Sequence, residues 1–289
     1  MLRPTDLVID DFNWQEHAAD ANVGGEMRVR GLVPRNYSTH PVGSYEGSVR
    51  FDAVRDFALI PREEWSSRIR DLVQAQAQLS DIRLAGNNGE PIPSTDQNGQ
   101  GYCWAHSPTS ANLLLRAAAG LPYVRLSAFS VACPIKNYRD QGGWGAQALD
   151  YMREKGVASV AFWPEKSMSR ANDNAQTWEN AALHKITEGW IDLDAAQYDR
   201  KLTFDQVATL LLCKIPVVMD CNWWGHSICG MDLVEVDSSL RLTDANRWGV
   251  RIWNSWTDQW GDRGMGVLRG AKGIPDGATG PRVTTASLV

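Results

Sequence analysis

The 289-residue chain has no long apolar run: stretches such as Leu210 to Leu212 fall far short of the roughly twenty residues that a membrane helix needs. Charge of one sign never accumulates either. The net charge is −5 and neither sign forms a block, so no basic face marks nucleic acid and no polybasic stretch marks a membrane surface. The opening residues, MLRPTDLVIDDFNWQEH, lack the basic start, apolar middle and small-residue cleavage site of a secretory signal. A chain made without a signal peptide and residing in the cytoplasm is therefore expected. Repeats and low-complexity tracts are absent. Cysteine is sparse, at 103, 133, 213, 221 and 229, an odd number in a chain too large to need cross-links, so no disulfide framework is expected.

Tryptophan, by contrast, is plentiful, with thirteen residues, and 43% of the chain is hydrophobic. That suffices for one large domain or two lobes sharing an interface. Several tryptophans flank glycines and a histidine, where flat rings suit the walls of a cleft; most belong to ordinary core.

Residues 1–59 mix polar loops with few apolar repeats and read as an extended arm that needs something to lie on. From Glu63, the spacing of Trp65, Ile69, Leu72, Ala75 and Leu79 predicts one helical face. A helix after Cys103 is expected to end at a left-handed Gly120, and a second, from GGWGAQALDYMREKGVA, at Gly156. A third, TFDQVATLLLCKI, reads as opened by a capping box of Thr203 and Gln206. Beyond it, PVVMD, HSICGMDLVEVD, GVRIWNSW and MGVLRG are short β-rich runs between turn residues. Helices early and strands late predict an α+β molecule with two lobes of different class packed face to face. Residues 271–289 read as an extended tail.

Residues 96–107, DQNGQGYCWAHS, place Cys103 in a glycine-broken polar loop directly ahead of an apolar helical stretch. A thiol there lies at the positive end of the peptide dipoles, which favour its anion. Thiol chemistry on a carbonyl also needs a proton acceptor, a group that orients it, and donors for the oxyanion. Gln97 lies upstream, where its side-chain amide and the backbone amide of Cys103 can point at one oxygen. Of the histidines at 17, 40, 106, 184 and 226, only His226 follows a strand and a tight turn and opens the next strand. Asn254 sits at a strand end and can fix an imidazole without removing its charge, with Trp256 placed to shield that bond. Plainer readings stand beside these. Cys103 can be a half-buried helix-start thiol, His226 a turn-capping strand residue, and His106, Trp144, Trp256 and Trp260 packing. Cys103, His106, Cys221, His226 and Cys229 also have spacings compatible with zinc, although a short hairpin would set Cys221 opposite His226 as a small packing residue.

Taken together, DQNGQGYCWA, GGWGAQAL, GHSICGMDLVEV and NSWTDQWGDRGMGVL resemble the papain family of cysteine peptidases, in the order Cys, Gly-Gly, His, Asn-Ser-Trp. The resemblance covers roughly Pro61 to Gly270. It implies a papain-like α+β fold with a helical lobe and an antiparallel β lobe flanking the cleft, within a domain spanning 60–270. It further implies Cys103 as nucleophile, His226 as base and later acid, Asn254 as its orienter and Gln97 as oxyanion donor. Gly142 and Gly143 would hold the substrate backbone, Trp144 would line the pocket for the residue two before the cut, and Trp104 and Trp256 would support the site. No metal or cofactor is implied, and the partner would be a peptide or protein substrate.

This chain also departs from the pattern. Gln100 stands where the family usually has a cysteine, and Asp140 and Gln141 where its disulfide partner is expected, which favours a reducing compartment. Pro108 interrupts the donors of the catalytic helix, the segment from Pro216 to His226 is short, and residues 1–59 show no recognisable inhibitory prodomain. Two functions follow as expectations: peptide-bond hydrolysis through a Cys103 acyl-enzyme, or an idle papain-like component of a larger assembly such as a virion, docked through residues 1–59 and 271–289. An arm lying across Cys103 would make the enzyme latent.

Overall fold

Helices precede the long strands, as expected, but short strands from the amino-terminal segment come ahead of most helices in the structure, a computed structural model that describes residues 2–18, 21–54 and 57–282. The first segment supplies β1 (Val8–Ile9), α1 (Trp14–Ala18), β2 (Ala21–Val23), β3 (Glu26–Arg28) and β4 (Ser48–Arg50). Then come α2 (Arg62–Gln74), α3 (Leu79–Ala85), α4 (Cys103–Ala118), α5 (Phe129–Ile135), α6 (Gly145–Glu154) and α7 (Ala175–Ala181). β5 (Trp190–Asp192) and α8 (Arg200–Leu212) lead into β6 (Val217–Cys221), β7 (His226–Glu235), β8 (Trp248–Trp253), β9 (Met265–Arg269) and β10 (Gly277–Pro281).

Two local expectations are corrected. The helical face from Trp65 to Leu79 is split between α2 and α3. Gln76 adopts a positive φ of 49°, the Ala77 amide bonds back to Leu72, and Gln78 with Asp81 opens a new helix through a capping box. α8 starts at Arg200, with Asp199 capping the Leu202 amide at 3.0 Å; the Thr203 hydroxyl and the Gln206 amide instead bond Asp194.

β7 is the centre of an eight-stranded sheet ordered β1-β9-β8-β7-β6-β10-β5-β4. It is buried along nearly its whole length because α4 covers one face and α8 the other, which is why it reads as apolar on both sides. α4 is buried from Cys103 to Arg116 and runs through Pro108 unbroken. One apolar core gathers Trp104, Phe129, Leu149 and Trp163 on the helical side. A second gathers Trp65, Phe204, Leu210, Trp248 and Ile252 on the sheet side. The molecule is therefore α+β, as the pattern of elements predicts.

The terminal segments are part of this sheet. β1 pairs in parallel with β9, β4 pairs in parallel with β5, and these two strands form its outer edges. Short strands from the amino-terminal segment thus cover edges that would otherwise offer unpaired backbone. The arm has too few apolar residues for a core of its own, but Ile9 and Phe51 enter the sheet-side core. At the other end, β10 lies between β6 and β5. Divisions at 59/60 and 270/271 therefore do not separate an arm and a tail from the sheet; residues 283–289 of the expected tail lie outside the described residues.

One buried ion cluster ties the arm to the sheet. Arg251 of β8, 1% exposed, pairs with equally buried Asp6 and lies 3.5 Å from Asp232 of β7. Removing one partner of such a cluster strands a desolvated charge. Asp6→Ala is expected to lower stability by about 3 kcal/mol, seen as a lower midpoint in urea unfolding; an unchanged midpoint would show that the guanidinium is satisfied without Asp6.

Candidate active site

The loop before α4 is held against the segment after β8. Asp96 forms a β-bridge with Trp256, the Gln97 amide bonds the Ser255 carbonyl at 3.2 Å, and Asn98 and Gly99 turn the chain through positive φ. That turn delivers Cys103 to the first position of α4, fully buried. Its sulfur lies beside the amides of Trp104 and Ser227 and accepts the Gly31 amide at 3.4 Å.

Ser227 follows His226, so cysteine and histidine stand on facing elements, one from each lobe. His226 is set by a hairpin whose four turn residues end at Gly225, φ +62°, and whose register puts Cys221 opposite His226. Asn254 Oδ1 lies 2.8 Å from His226 Nε2 and also accepts the Ser255 amide at 2.8 Å. Oδ1 is therefore the acceptor in both contacts, His226 donates from Nε2, and its Nδ1 remains a bare base, buried with no hydrogen-bond partner. The Trp256 ring lies 4.8 Å from the imidazole, and the edge of Trp224 approaches at 5.0 Å, closing the Asn254 bond to water.

Gln97 is clamped by its oxygen, which accepts the Ser255 hydroxyl at 2.7 Å and the Trp256 indole at 3.2 Å. Its amide nitrogen donates to the Gln100 carbonyl and to the carbonyl of Val29 in the arm. That second contact belongs to a longer one. The Gly143 amide donates to Gly31 O at 3.0 Å, the Val33 amide to Gly143 O at 2.9 Å, and the Leu32 amide to Gly225 O at 3.1 Å. Residues 29–33 thus run through the space between Cys103, Gln97, Gly143 and the hairpin turn.

Of the paired glycines, Gly143 makes two of these three bonds. Gly142 contributes by lacking a side chain, since a Cβ there would fall 2.5 Å from Gly31 O. A Cβ on Gly143 would fall 2.6 Å from the Trp104 ring, whose indole in turn bonds Gly101 O at 3.0 Å. Trp144 bonds the Tyr45 hydroxyl at 2.9 Å and meets the edge of His40 at 5.1 Å, so arm residues cover it. His106 is buried packing, bonded to Thr95 at 2.9 Å. Among the described residues no three metal-binding side chains gather. Ser255, which fixes Gln97, and the residues of the crossing segment went unnoticed in the sequence. The serine has a signal in its place beside Asn254, whereas the segment carries none beyond a lone glycine.

Burial governs the electrostatics. Desolvation pushes the Cys103 thiol up to about 11 against the opposing pull of nearby amides, chiefly that of Ser227. Desolvation likewise holds His226 down to about 4, only partly offset by Asn254 and reinforced by nearby Arg30. With the arm in place the pair is a neutral thiol and a neutral imidazole across the physiological range.

By sequence, neither a family model nor a curated protein matches the chain. By structure, it is similar to the cysteine protease xylellain of Xylella fastidiosa, with TM-score 0.58, 15% identity and coverage of 91% of this chain and 97% of that one. It is similar also to the digestive procathepsin L2 of Tenebrio molitor, with TM-score 0.60, 16% identity and coverage of 95% and 87%. The fold is papain-like. Two lobes, one helical and one built on the sheet, flank the cleft as in those papain-family structures. Where the resemblance directs attention to a cross-link, the papain-like chain has instead a hydrogen bond of 2.7 Å from the Gly101 amide to Asp140, and all five cysteines are free.

The raised thiol pKa fixes the sign of a pH effect. A thiol ionising near 11 holds little thiolate at neutral pH, so alkylation of Cys103 by iodoacetamide is expected to be slow at pH 7 and to rise roughly tenfold per pH unit toward pH 10. Peptide mass spectrometry reads the rate; fast labelling that is flat from pH 6 to 8 would contradict a buried neutral pair.

Proposed function

We propose that this chain is a latent papain-like thiol peptidase whose cleft is shut by residues 29–33. The observation that carries this reading is the joint placement of Cys103, the Asn254-oriented His226 and the clamped Gln97 around one extended backbone. A peptide in place of the arm would meet a helix-start thiol, a base with an open Nδ1, and two donors for a carbonyl oxygen, the Gln97 amide and the Cys103 backbone. His226 Nδ1 takes the thiol proton while sulfur bonds the carbonyl carbon. The C–N bond then breaks as His226 returns the proton to the leaving amine. Water, deprotonated by the same imidazole, cleaves the thioester and frees the thiol.

The arm is a poor substrate in its present register. It offers Cys103 an N–H, that of Gly31, while the carbonyl that reaches Gln97 belongs to Val29. A second reading, an idle papain-like component of a larger assembly, is favoured by one observation: the arm that fills the cleft also supplies both sheet edges.

Gly31→Val separates the two. A Cβ at position 31 would lie 1.8 Å from the Gly101 carbonyl, so valine forces the segment off the cysteine. The latent enzyme predicts labelling of Cys103 at pH 7 accelerated by roughly a hundredfold as the thiol rehydrates toward its ordinary pKa near 8.5, together with cleavage of a casein substrate that Cys103→Ala abolishes. Accelerated labelling without cleavage would support the idle component, and unchanged labelling would show that the arm is not the barrier.

A further inference from the structure

Beyond the cysteine, the crossing segment skirts a cavity of about 150 Å³ between arm and sheet. Arg35 and Tyr37 wall it from the arm; Asp220, Asn222 and Asp276 wall it from the sheet side. Asp220 pairs with Ser227 in the β6–β7 register, next to the Cys221–His226 pair but with its side chain on the other face of the sheet, and it lies within electrostatic reach of Cys103. Its Oδ2 accepts the Gly145 amide at 3.1 Å, while its Oδ1 is buried without a well-formed hydrogen bond, near the equally buried Ser227 hydroxyl. Close by, Asp192 of β5 is 1% exposed and accepts hydrogen bonds from both terminal guanidinium nitrogens of Arg35 at 2.9 Å and from the Gly43 amide at 2.8 Å. These donors all belong to the arm. Arg35 also lies within electrostatic reach of Asp220.

Lifting the segment would therefore remove the cation from one buried carboxylate and from the reach of its neighbour. A buried carboxylate stripped of its partner is strongly unfavourable. Arg200, about half exposed and 4.0 Å from Asp276, is the other cation on the cavity wall and is turned to that aspartate. An incoming chain with an apolar or acidic side chain at this point would leave the charges unmatched, which is discrimination by an unpaired group.

We propose that the opened cleft takes an extended peptide carrying a basic side chain, whose cation replaces the Arg35 guanidinium at Asp192, within reach of Asp220. The inference names a substrate class for the peptidase reading and rests on it only in requiring that the arm lift. Binding tests it without any thiol chemistry. The probe is a fluorescein-labelled peptide with the sequence of residues 28–37, RVRGLVPRNY, alongside versions with leucine or glutamate in place of Arg35, titrated by anisotropy into the full chain carrying Gly31→Val and Cys103→Ser. The arginine peptide is expected to bind about tenfold or more tightly than the leucine peptide, with the glutamate peptide weakest. Adding Asp220→Asn or Asp192→Asn should shrink the gap.

Equal binding of the arginine and leucine peptides, no binding of any of them, or a gap that survives both aspartate substitutions would overturn the proposal. Should the Gly31→Val chain fail to fold, the full chain with Arg35→Ala alone supplies the test. N-acetylarginine amide should raise its Tm by about 2 °C or more at millimolar concentration where N-acetylleucine amide does not, and no such difference would overturn the proposal. Selective binding with an unreactive Cys103 would sink the peptidase reading and leave this inference standing; a reactive, proteolytic cleft indifferent to the basic residue would do the reverse.

Discussion

The close passage of Gly31 over Cys103 is the contact on which the state of the site depends. It is possible only because position 31 has no side chain, and it sets the backbone of residues 29–33 where Gln97, Gly143 and Gly225 can bond it. Sulfur, imidazole and amide are thereby cut off from water, and their charge states follow from that exclusion: the thiol holds its proton and the imidazole does not take one. Under the proposed function, the same groups, hydrated and facing a peptide carbonyl, would serve as nucleophile, base and oxyanion donor.

The arm is held at several points. Arg28, 2% exposed, pairs with Asp96 upstream of the cysteine, and Arg35 pairs with Asp192 downstream of it. Farther out, β1 and β4 bind opposite edges of the sheet, and Asp6 reaches Arg251. Releasing the whole arm would expose two strand edges and a buried cation, so any opening is confined to the stretch between β3 and β4. Opening is then a local event whose cost falls on the Arg35–Asp192 pair and a few backbone bonds, while the sheet stays intact.

The positions of Cys103, His226 and Asn254 were legible in the sequence because each is set by local chemistry. A glycine-broken loop precedes a helix, a four-residue turn precedes a strand, and Asn-Ser-Trp closes another. The α+β division was legible from the change of hydrophobic period near Ile215. The break between α2 and α3 was not, since Ala75 and Gln76 keep the helical spacing and only the positive φ of Gln76 interrupts it. β10, sequence GATGP, has no alternating apolar pattern. It enters the sheet because its small residues fit beneath α8, where a Cβ on Gly280 would come within 2.6 Å of Leu210. The arm's path was illegible for a related reason: its contacts with the cleft are mostly backbone bonds, which leave no mark on side-chain identity.

Whether residues 29–33 occupy the cleft in solution is measured most directly by amide hydrogen exchange in the unmodified full chain. The amides of Gly31, Leu32 and Val33 each have an acceptor in the cleft, the Cys103 sulfur, the Gly225 carbonyl and the Gly143 carbonyl respectively. They are expected to exchange at least roughly a hundredfold more slowly than their intrinsic rates. Exchange of all three at the rate of an unstructured peptide would contradict the occluded cleft and, with it, the latency of the site.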